Sequence, residues 1–268
     1  MKILILVKEI PDTAQEITVE KLQGCTDRDV AYSINIHDEY AIEAGISLKE
    51  KYGGEVVCYW AGRKETIKNA RYYMNMGADR IVLIEQDHCG AEETVKLLET
   101  AICENDPDYD LILAGILGVD QIRGEVPGRL AARLQIPLIQ RVETIKVKED
   151  TADPNDFVKK RIFICEREMD HVLETVEINS PVLMTIPKGI NKPRLPDLSF
   201  VFSTDKKKIV EICRDSKKQC EKIRNKSNEK YTKIRMENCI RGRKCQMICG
   251  ENEQKSVDEL MKMRSNQQ

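Results

Sequence analysis

The sequence predicts an α/β fold with a mostly parallel sheet, an antiparallel extension and a C-terminal arm. Two observations predict the sheet: short apolar runs recur along residues 1–137, and each precedes a segment whose apolar residues have helical spacing. A third observation predicts the rest, because the chain becomes strand-like after residue 138 and strongly basic after residue 205. We therefore expect one α/β domain over residues 1–204 and an arm over residues 205–268.

Four nearly continuous apolar runs are the predicted parallel strands, since such runs are typical of strands covered on both faces. They comprise residues 3–7, 56–60, 81–84 and 111–114. The first helix is predicted from an apolar stripe over residues 41–52, with Asp38 as its expected N-cap and Gly53-Gly54 as its end. Three more helices are predicted from apolar sets at Ile67, Ala70 and Met74, at Val95, Leu98 and Ile102, and at Leu130 and Leu134. This alternation predicts a three-layer, Rossmann-like arrangement.

The texture changes after residue 138 to further strand-like segments. They comprise residues 142–147, 161–165, 172–178 and 182–186, with a polar turn over 150–156. We expect them to form an antiparallel extension of the sheet.

The segment from residue 205 is basic, with ten Lys and five Arg against six acidic residues over 205–244. An apolar pattern returns over residues 257–263, which predicts a short helix at the end. Such a segment is either a solvated charged face or an arm that gains order on a partner, and both interpretations stay open.

Composition excludes several classes of function. Lysine plus arginine number 43 and aspartate plus glutamate 45, so the net charge of −2 argues against a nucleic-acid-binding protein. The apolar run over residues 3–7 is too short for a signal peptide or a membrane span, so we expect a cytoplasmic protein without membrane insertion. In that setting the ten cysteines are expected to be reduced thiols.

Candidate ligand-binding loops follow the predicted strands, because ligands of open parallel sheets bind beyond the carboxyl ends of the strands. Three such loops are residues 8–12, 61–62 and 115–128. The third contains four glycines before a helix, an arrangement that lets backbone N–H groups surround a phosphate. Glycine-rich loops are also simple tight connections, and this loop matches no standard phosphate-binding motif.

No catalytic residue is predicted. The three histidines, His37, His88 and His171, have no nucleophile beside them in a recognisable motif. Cysteines at 213, 220, 239, 245 and 249 have spacings that match neither zinc sites nor ferredoxin clusters, so we predict no metal site.

Five motifs in order resemble the beta subunit of electron transfer flavoprotein. They are residues 7–13 (VKEIPDT), 34–43 (INIHDEYAIE), 70–80 (ARYYMNMGADR), 109–115 (YDLILAG) and 191–196 (NKPRLP). One such motif is weak, whereas five in sequence over about 195 residues are specific.

The resemblance implies a non-catalytic electron carrier that forms a heterodimer. An alpha subunit would hold the redox-active FAD, this chain would bind AMP, and the arm over residues 205–268 would wrap around the alpha subunit. Acyl-CoA or other flavin dehydrogenases would be the docking partners. Two alternatives stay open: an electron-bifurcating subunit with a second FAD that oxidises NADH, to which the first and last motifs look closer, and a divergent structural or regulatory relative without nucleotide.

By position, the resemblance implies a set of cofactor-binding residues and one docking residue. Ile190 falls where the family presents an aliphatic anchor to dehydrogenases. The nucleotide contacts would be Leu6, Asn35, Ile36, His37, Asp38, Ala61, Gly115, Ile116, Leu117, Gly118, Val119, Asp120, Gln121, Ile122, Arg123, Gly124, Glu125 and Val126.

The sequence departs from the family inside the glycine-rich loop. Ile116 stands where a basic residue is usual, Ile122 where an acidic residue is usual, and Pro127 where a glycine is usual. Arg123 either supplies the missing positive charge or is a surface arginine at a helix start. We expect a nucleotide here to be held mainly by backbone N–H groups.

Overall fold

The computed structural model of the chain describes residues 1–12, 14, 31–86, 90–149, 161–170, 172–196, 209–212 and 253–265. The helices are α1 (Ile36–Tyr52), α2 (Ile67–Met76), α3 (Ala91–Asn105), α4 (Glu125–Leu134) and α5 (Glu253–Ser265). The strands are β1 (Lys2–Pro11), β2 (Tyr32–Ile34), β3 (Glu55–Gly62), β4 (Arg80–Glu85), β5 (Leu111–Gly115), β6 (Leu138–Ile139), β7 (Val142–Glu149), β8 (Arg161–Met169), β9 (Val172–Asn179), β10 (Val182–Ile186) and β11 (Ile209–Ile212).

The main sheet has the strand order β11-β4-β3-β1-β5-β10-β6, and all of these neighbours pair in parallel. The short strand β2 adds to the end of β1 in the antiparallel sense. All four predicted parallel strands are present. Their apolar side chains are buried on both faces of the sheet, as the continuity of the runs predicts.

Helices cover both faces of this sheet, so the predicted three-layer, Rossmann-like α/β class is confirmed. Helices α1 and α2 pack on the face that carries Ile3 and Ile5. Helices α3 and α4 pack on the opposite face, which carries Leu4 and Leu6. Successive side chains of β1 therefore lie alternately in two separate apolar cores.

The expectation of an antiparallel extension needs a correction. Strand β10 pairs in parallel with β5 and β6 inside the main sheet, whereas β7, β8 and β9 form a separate antiparallel sheet. All five residues of β10 are buried, which is typical of a central parallel strand. In β8, by contrast, the alternate residues Phe163 and Cys165 are buried against the main core, which is the pattern of a sheet covered on one face.

The prediction that Asp38 caps the first helix is wrong. Helix α1 begins at Ile36, its N-cap is Asn35, and Asp38 lies in the first turn. The side chain of Asn35 makes no capping hydrogen bond, because its amide is used in contacts to a neighbouring loop. Both residues belong to the candidate site.

The C-terminal segment contributes two described elements. Strand β11 pairs with β4 and forms an edge of the main sheet. Helix α5 lies where the returning apolar pattern predicts a helix, and its Val257, Leu260 and Met261 side chains are more than half exposed. The five cysteines at 213–249 lie outside the described residues.

Within the described ranges, no helix is long and apolar enough to cross a membrane. The same part of the chain contains no group of three or more His, Cys, Asp or Glu side chains arranged to hold a metal ion.

Candidate functional site

A cavity of about 840 Å³ lies at the carboxyl ends of the parallel strands. Its walls come from the ends of β1, β3 and β5, from the loop over residues 115–124, and from the first turns of α3 and α4. This is the edge of an open parallel sheet where ligands bind, and the volume is in the range of small-molecule sites.

Most residues of the predicted nucleotide set line this cavity. They are Leu6, Asn35, Asp38, Ala61, Gly115, Leu117, Gly118, Gln121, Arg123, Gly124, Glu125 and Val126. Six predicted residues lie nearby without lining it: Ile36, His37, Ile116, Val119, Asp120 and Ile122. Ile36 and Ile122 are exposed apolar side chains on the surface of this edge.

One whole wall of the cavity was not predicted from the sequence. It consists of residues between the end of β4 and the second turn of α3, namely Gln86, Gly90, Ala91, Glu92 and Thr94. The signal for this wall was present, because the carboxyl end of β4 lies at the same edge as the other three strand ends. Lys8 of the predicted loop 8–12 and Pro127 of the predicted loop 115–128 also line the cavity. Further lining residues are Val7, Tyr59, Leu98, Ala114 and Arg129.

Asn35 fastens the glycine-rich loop to the start of α1. Its Nδ2 donates to the carbonyl oxygen of Leu117 at 2.9 Å and to Asp38 Oδ1 at 2.9 Å. Its Oδ1 accepts from the N–H of Val119 at 3.4 Å. The side chain is buried, and these contacts position the loop that forms the floor of the cavity.

Asp38 joins three separate elements through one buried carboxylate. The carboxylate accepts from the backbone N–H of Lys8 at 2.8 Å, from Asn35 Nδ2, and from the backbone N–H of Gly115. Burial raises the pKa of Asp38 to about 7, although these donors pull the pKa down.

Gly115 permits this close approach. A Cβ atom at this position would lie 2.4 Å from Asp38 Oδ1 and 2.8 Å from the carbonyl carbon of His37. The first glycine of the loop is therefore required by the packing of β5 against the start of α1.

A second close approach occurs at Gly118, where a Cβ would lie 2.7 Å from Asp120 Oδ1 and 3.2 Å from Lys8 Nζ. The Lys8 ammonium donates to both carboxylate oxygens of Asp120, at 2.7 and 2.6 Å. This pair ties the loop after β1 to the glycine-rich loop at the rim of the cavity.

The N-termini of two helices converge on the cavity. The backbone N–H of Gly90, the N-cap residue of α3, donates to the carboxylate of Glu93 at 2.6 Å. Helix α4 begins after Gly124, which adopts the left-handed conformation with φ of 60°. The first turn of α4 contains the backbone N–H groups of Glu125 and Val126, whereas Pro127 has no N–H to donate.

The cationic side chains that line the described part of the cavity are each paired with a carboxylate. Lys8 is bound by Asp120, Arg123 lies 3.6 Å from Glu125, and Arg129 contacts Glu125 at 2.9 Å. A bound anion would meet a cavity whose cations already have carboxylate partners.

The motif at residues 191–196 lies on the side of α1, away from the cavity lining. The Arg194 guanidinium donates to both oxygens of Glu43 and to both oxygens of Glu50, over distances of 2.6 to 3.0 Å. Ile190, the predicted docking residue, is half-buried against the main core. In the same segment the Leu195 side chain is 84% exposed.

The fold and the cavity place the chain in the class of Rossmann-like α/β proteins with a candidate ligand site at the carboxyl edge of the sheet. A family model described as "Electron transfer flavoprotein domain" matches residues 24–217, which is well over half of the chain. The chain therefore belongs to the electron transfer flavoprotein family and is similar to its beta subunits.

Curated relatives support that assignment. The electron transfer flavoprotein subunit beta of Bacillus subtilis (strain 168) is 32% identical over 216 residues, covering 79% of each chain. The protein of the same name from Thermoanaerobacterium thermosaccharolyticum is 31% identical over 79% of this chain and 78% of its own. The caffeyl-CoA reductase-Etf complex subunit CarD of Acetobacterium woodii is 31% identical over 78% of this chain and 77% of its own.

Proposed function

We propose that this chain is the electron-carrier beta subunit of a heterodimer and that it binds an adenine nucleotide in the cavity at the carboxyl edge. Electrons would pass between dehydrogenases and an acceptor through an FAD held mainly by the alpha subunit. The observation that carries the proposal is the 840 Å³ cavity, because most of the residues expected from the resemblance line it.

The residues present fit a nucleotide. Gly118 and Gly124 keep the loop thin, and the first turn of α4 offers the N–H groups of Glu125 and Val126 to a phosphate. Apolar side chains of Leu6 and Leu98 give the cavity a wall suited to a flat adenine ring. A phosphate held here would rely on backbone donors and on the start of two helices.

The two forms of the nucleotide differ in chemistry. AMP in this chain would be a structural ligand, whereas a second FAD would take hydride from NADH and make the complex an electron-bifurcating one. The family membership supports the carrier function equally for both forms, so the nucleotide itself must be identified.

The proposed partner is an alpha subunit, with the segment over residues 205–268 as part of the contact. The exposed apolar side chains of α5 support this, because three of them recur at helical spacing over Val257, Leu260 and Met261. Acyl-CoA or other flavin dehydrogenases are the proposed docking partners. Ile190 stays the predicted docking residue, and exposed Leu195 lies five positions further on in the same segment.

Co-expression with the alpha subunit tests these proposals. The purified complex is denatured, and the released AMP and FAD are quantified per heterodimer by chromatography. One FAD with one AMP is the expected result. Two FAD, together with rapid oxidation of NADH, would assign a bifurcating subunit instead. One FAD alone would mean that the cavity holds no nucleotide, and failure to form a complex would contradict the carrier function.

A further inference from the structure

Arg129 is one of three cationic side chains of the described residues that line the cavity, with Lys8 and Arg123. It lies on α4, lines the cavity, and is 42% exposed. Its guanidinium contacts Glu125 at 2.9 Å and Glu92 at 3.5 Å. These carboxylates belong to the first turns of α4 and α3, so one arginine bridges the two helix starts that converge on the cavity.

The two glutamates stand where an anion is favoured. Negative charge is stabilised at the N-terminus of a helix, whether it comes from a side chain or from a ligand. A phosphate group presents two oxygens to a guanidinium in the same bidentate manner as a carboxylate does. The Glu125 and Glu92 carboxylates therefore occupy the interactions that a phosphate would make.

The other two cations are less suited to this exchange. The Lys8 ammonium already donates to both carboxylate oxygens of Asp120, at 2.6 and 2.7 Å. Arg123 is 71% exposed, against 42% for Arg129, and lies 3.6 Å from Glu125, farther than the 2.9 Å that separates Arg129 from the same carboxylate. Arg129 is held more firmly and already lies between the two helix starts.

We propose that Arg129 binds the phosphate of the adenine nucleotide and that Glu125 is a built-in competitor for the same guanidinium. This inference rests on the proposed nucleotide-binding function. Arg129 then discriminates nucleotides from nucleosides, and Glu125 lowers the affinity for phosphate, because its carboxylate must leave Arg129 when the ligand enters. Glu92, whose carboxylate also pairs with Lys96 at 3.0 Å, is the second carboxylate beside the arginine, at 3.5 Å.

Three variants of the heterodimer with the alpha subunit test this inference. Arg129→Gln removes the cation, and Glu125→Gln removes the competing charge while keeping the side-chain length. Arg133→Gln is the matched control. Arg133 lies one helical turn further along α4, pairs with Glu99 at 2.6 Å and also lies 3.9 Å from Glu92, but it does not line the cavity. Each complex, freed of exchangeable nucleotide by dialysis, is titrated calorimetrically with AMP, with FAD and with adenosine.

We expect Arg129→Gln to weaken the binding of AMP or FAD about tenfold, the loss of one charge-assisted contact, with adenosine binding unchanged. Glu125→Gln is expected to tighten phosphate-bearing ligands about threefold, and Arg133→Gln to leave them within about twofold of wild type, the size of effect typical of an exposed ion pair. A general loss of structure would weaken ligand binding in both variants. Opposite changes in affinity for Glu125→Gln and Arg129→Gln therefore exclude it as the cause.

Equal weakening by Arg129→Gln and Arg133→Gln would overturn the inference and leave the nucleotide function intact. The same holds if adenosine is weakened as much as AMP, or if Glu125→Gln weakens AMP. A wild-type complex that binds none of the three ligands would overturn both the inference and the proposed nucleotide function.

Discussion

The Asp38 carboxylate gives a direct test of the site's electrostatics. It is buried, it receives three hydrogen bonds, and it joins the end of β1, the start of α1 and the end of β5. Burial favours the protonated acid, whereas the three donors favour the carboxylate. The structure indicates that burial dominates, because it raises the pKa from 3.8 to about 7.

A raised pKa makes stability depend on pH with a definite sign. The folded state binds the Asp38 proton more tightly than the unfolded chain does, so this stabilisation is fully present below pH 4 and is lost as the pH rises to about 7. The folded and unfolded pKa values of Asp38 differ by about three units, which corresponds to about 4 kcal/mol of folding stability. About 3 kcal/mol of this stability is lost between pH 4.5 and 7.5.

The comparison of wild type with Asp38→Asn isolates this effect. The asparagine keeps the size of the side chain and does not titrate, while all other groups titrate in both proteins. The free energy of unfolding in urea is measured at several values between pH 4.5 and 7.5. We expect the wild type to lose about 3 kcal/mol relative to the variant as the pH rises.

A difference that stays constant with pH would refute the reasoning. A wild type that gains stability relative to Asp38→Asn as the pH rises would refute it more strongly. That result would mean that the three donors outweigh burial and hold the carboxylate ionised in the folded protein.

Three further predictions concern stability and are checked by urea unfolding at pH 7. Asn35→Ala should cost about 2–3 kcal/mol, because the buried carbonyl of the loop loses its donor, and an unchanged midpoint would contradict the positioning role. Gly115→Ala should cost about 1–3 kcal/mol through overpacking, while Gly128→Ala, whose added Cβ meets only one methyl group at 3.8 Å, should gain about 0.5–1 kcal/mol; equal effects would count against the close approach. Arg194→Ala should cost about 1–3 kcal/mol, since Glu43 is left buried without its cation, and a loss below about 0.5 kcal/mol would show that solvent replaces the contact.

The parallel part of the fold was predictable because its signals are local. Runs such as residues 3–7 and 111–114 are continuous and apolar, and the helices between them have clear periodicity and glycine ends. The position of β10 was not predictable from its neighbours in the chain. It follows three antiparallel strands, yet pairs with β5, more than sixty residues earlier, and no local pattern encodes such a distant partner.

The candidate site divides in the same way. The loop over residues 115–126 was recognisable from its glycines and from the resemblance. The roles of Asn35 and Asp38 were not, because an amide that fastens a loop and one that contacts a ligand look alike in a sequence. The wall from the start of α3 was missed although its strand, β4, had been predicted, since the residues after β4 carry no distinctive motif.

The order in which the chain is synthesised also bears on how the cavity is completed. Among the described residues, the lining runs from Leu6 to Arg129 and so belongs to the N-terminal half of the chain. Because domains emerge from the ribosome N-terminus first, this lining is synthesised before β6 to β11 exist. Strand β5, which leads into the glycine-rich loop, gains its second neighbour, β10, only after the later half of the chain has been made, so a ligand stabilises a complete edge of the sheet only from that point on.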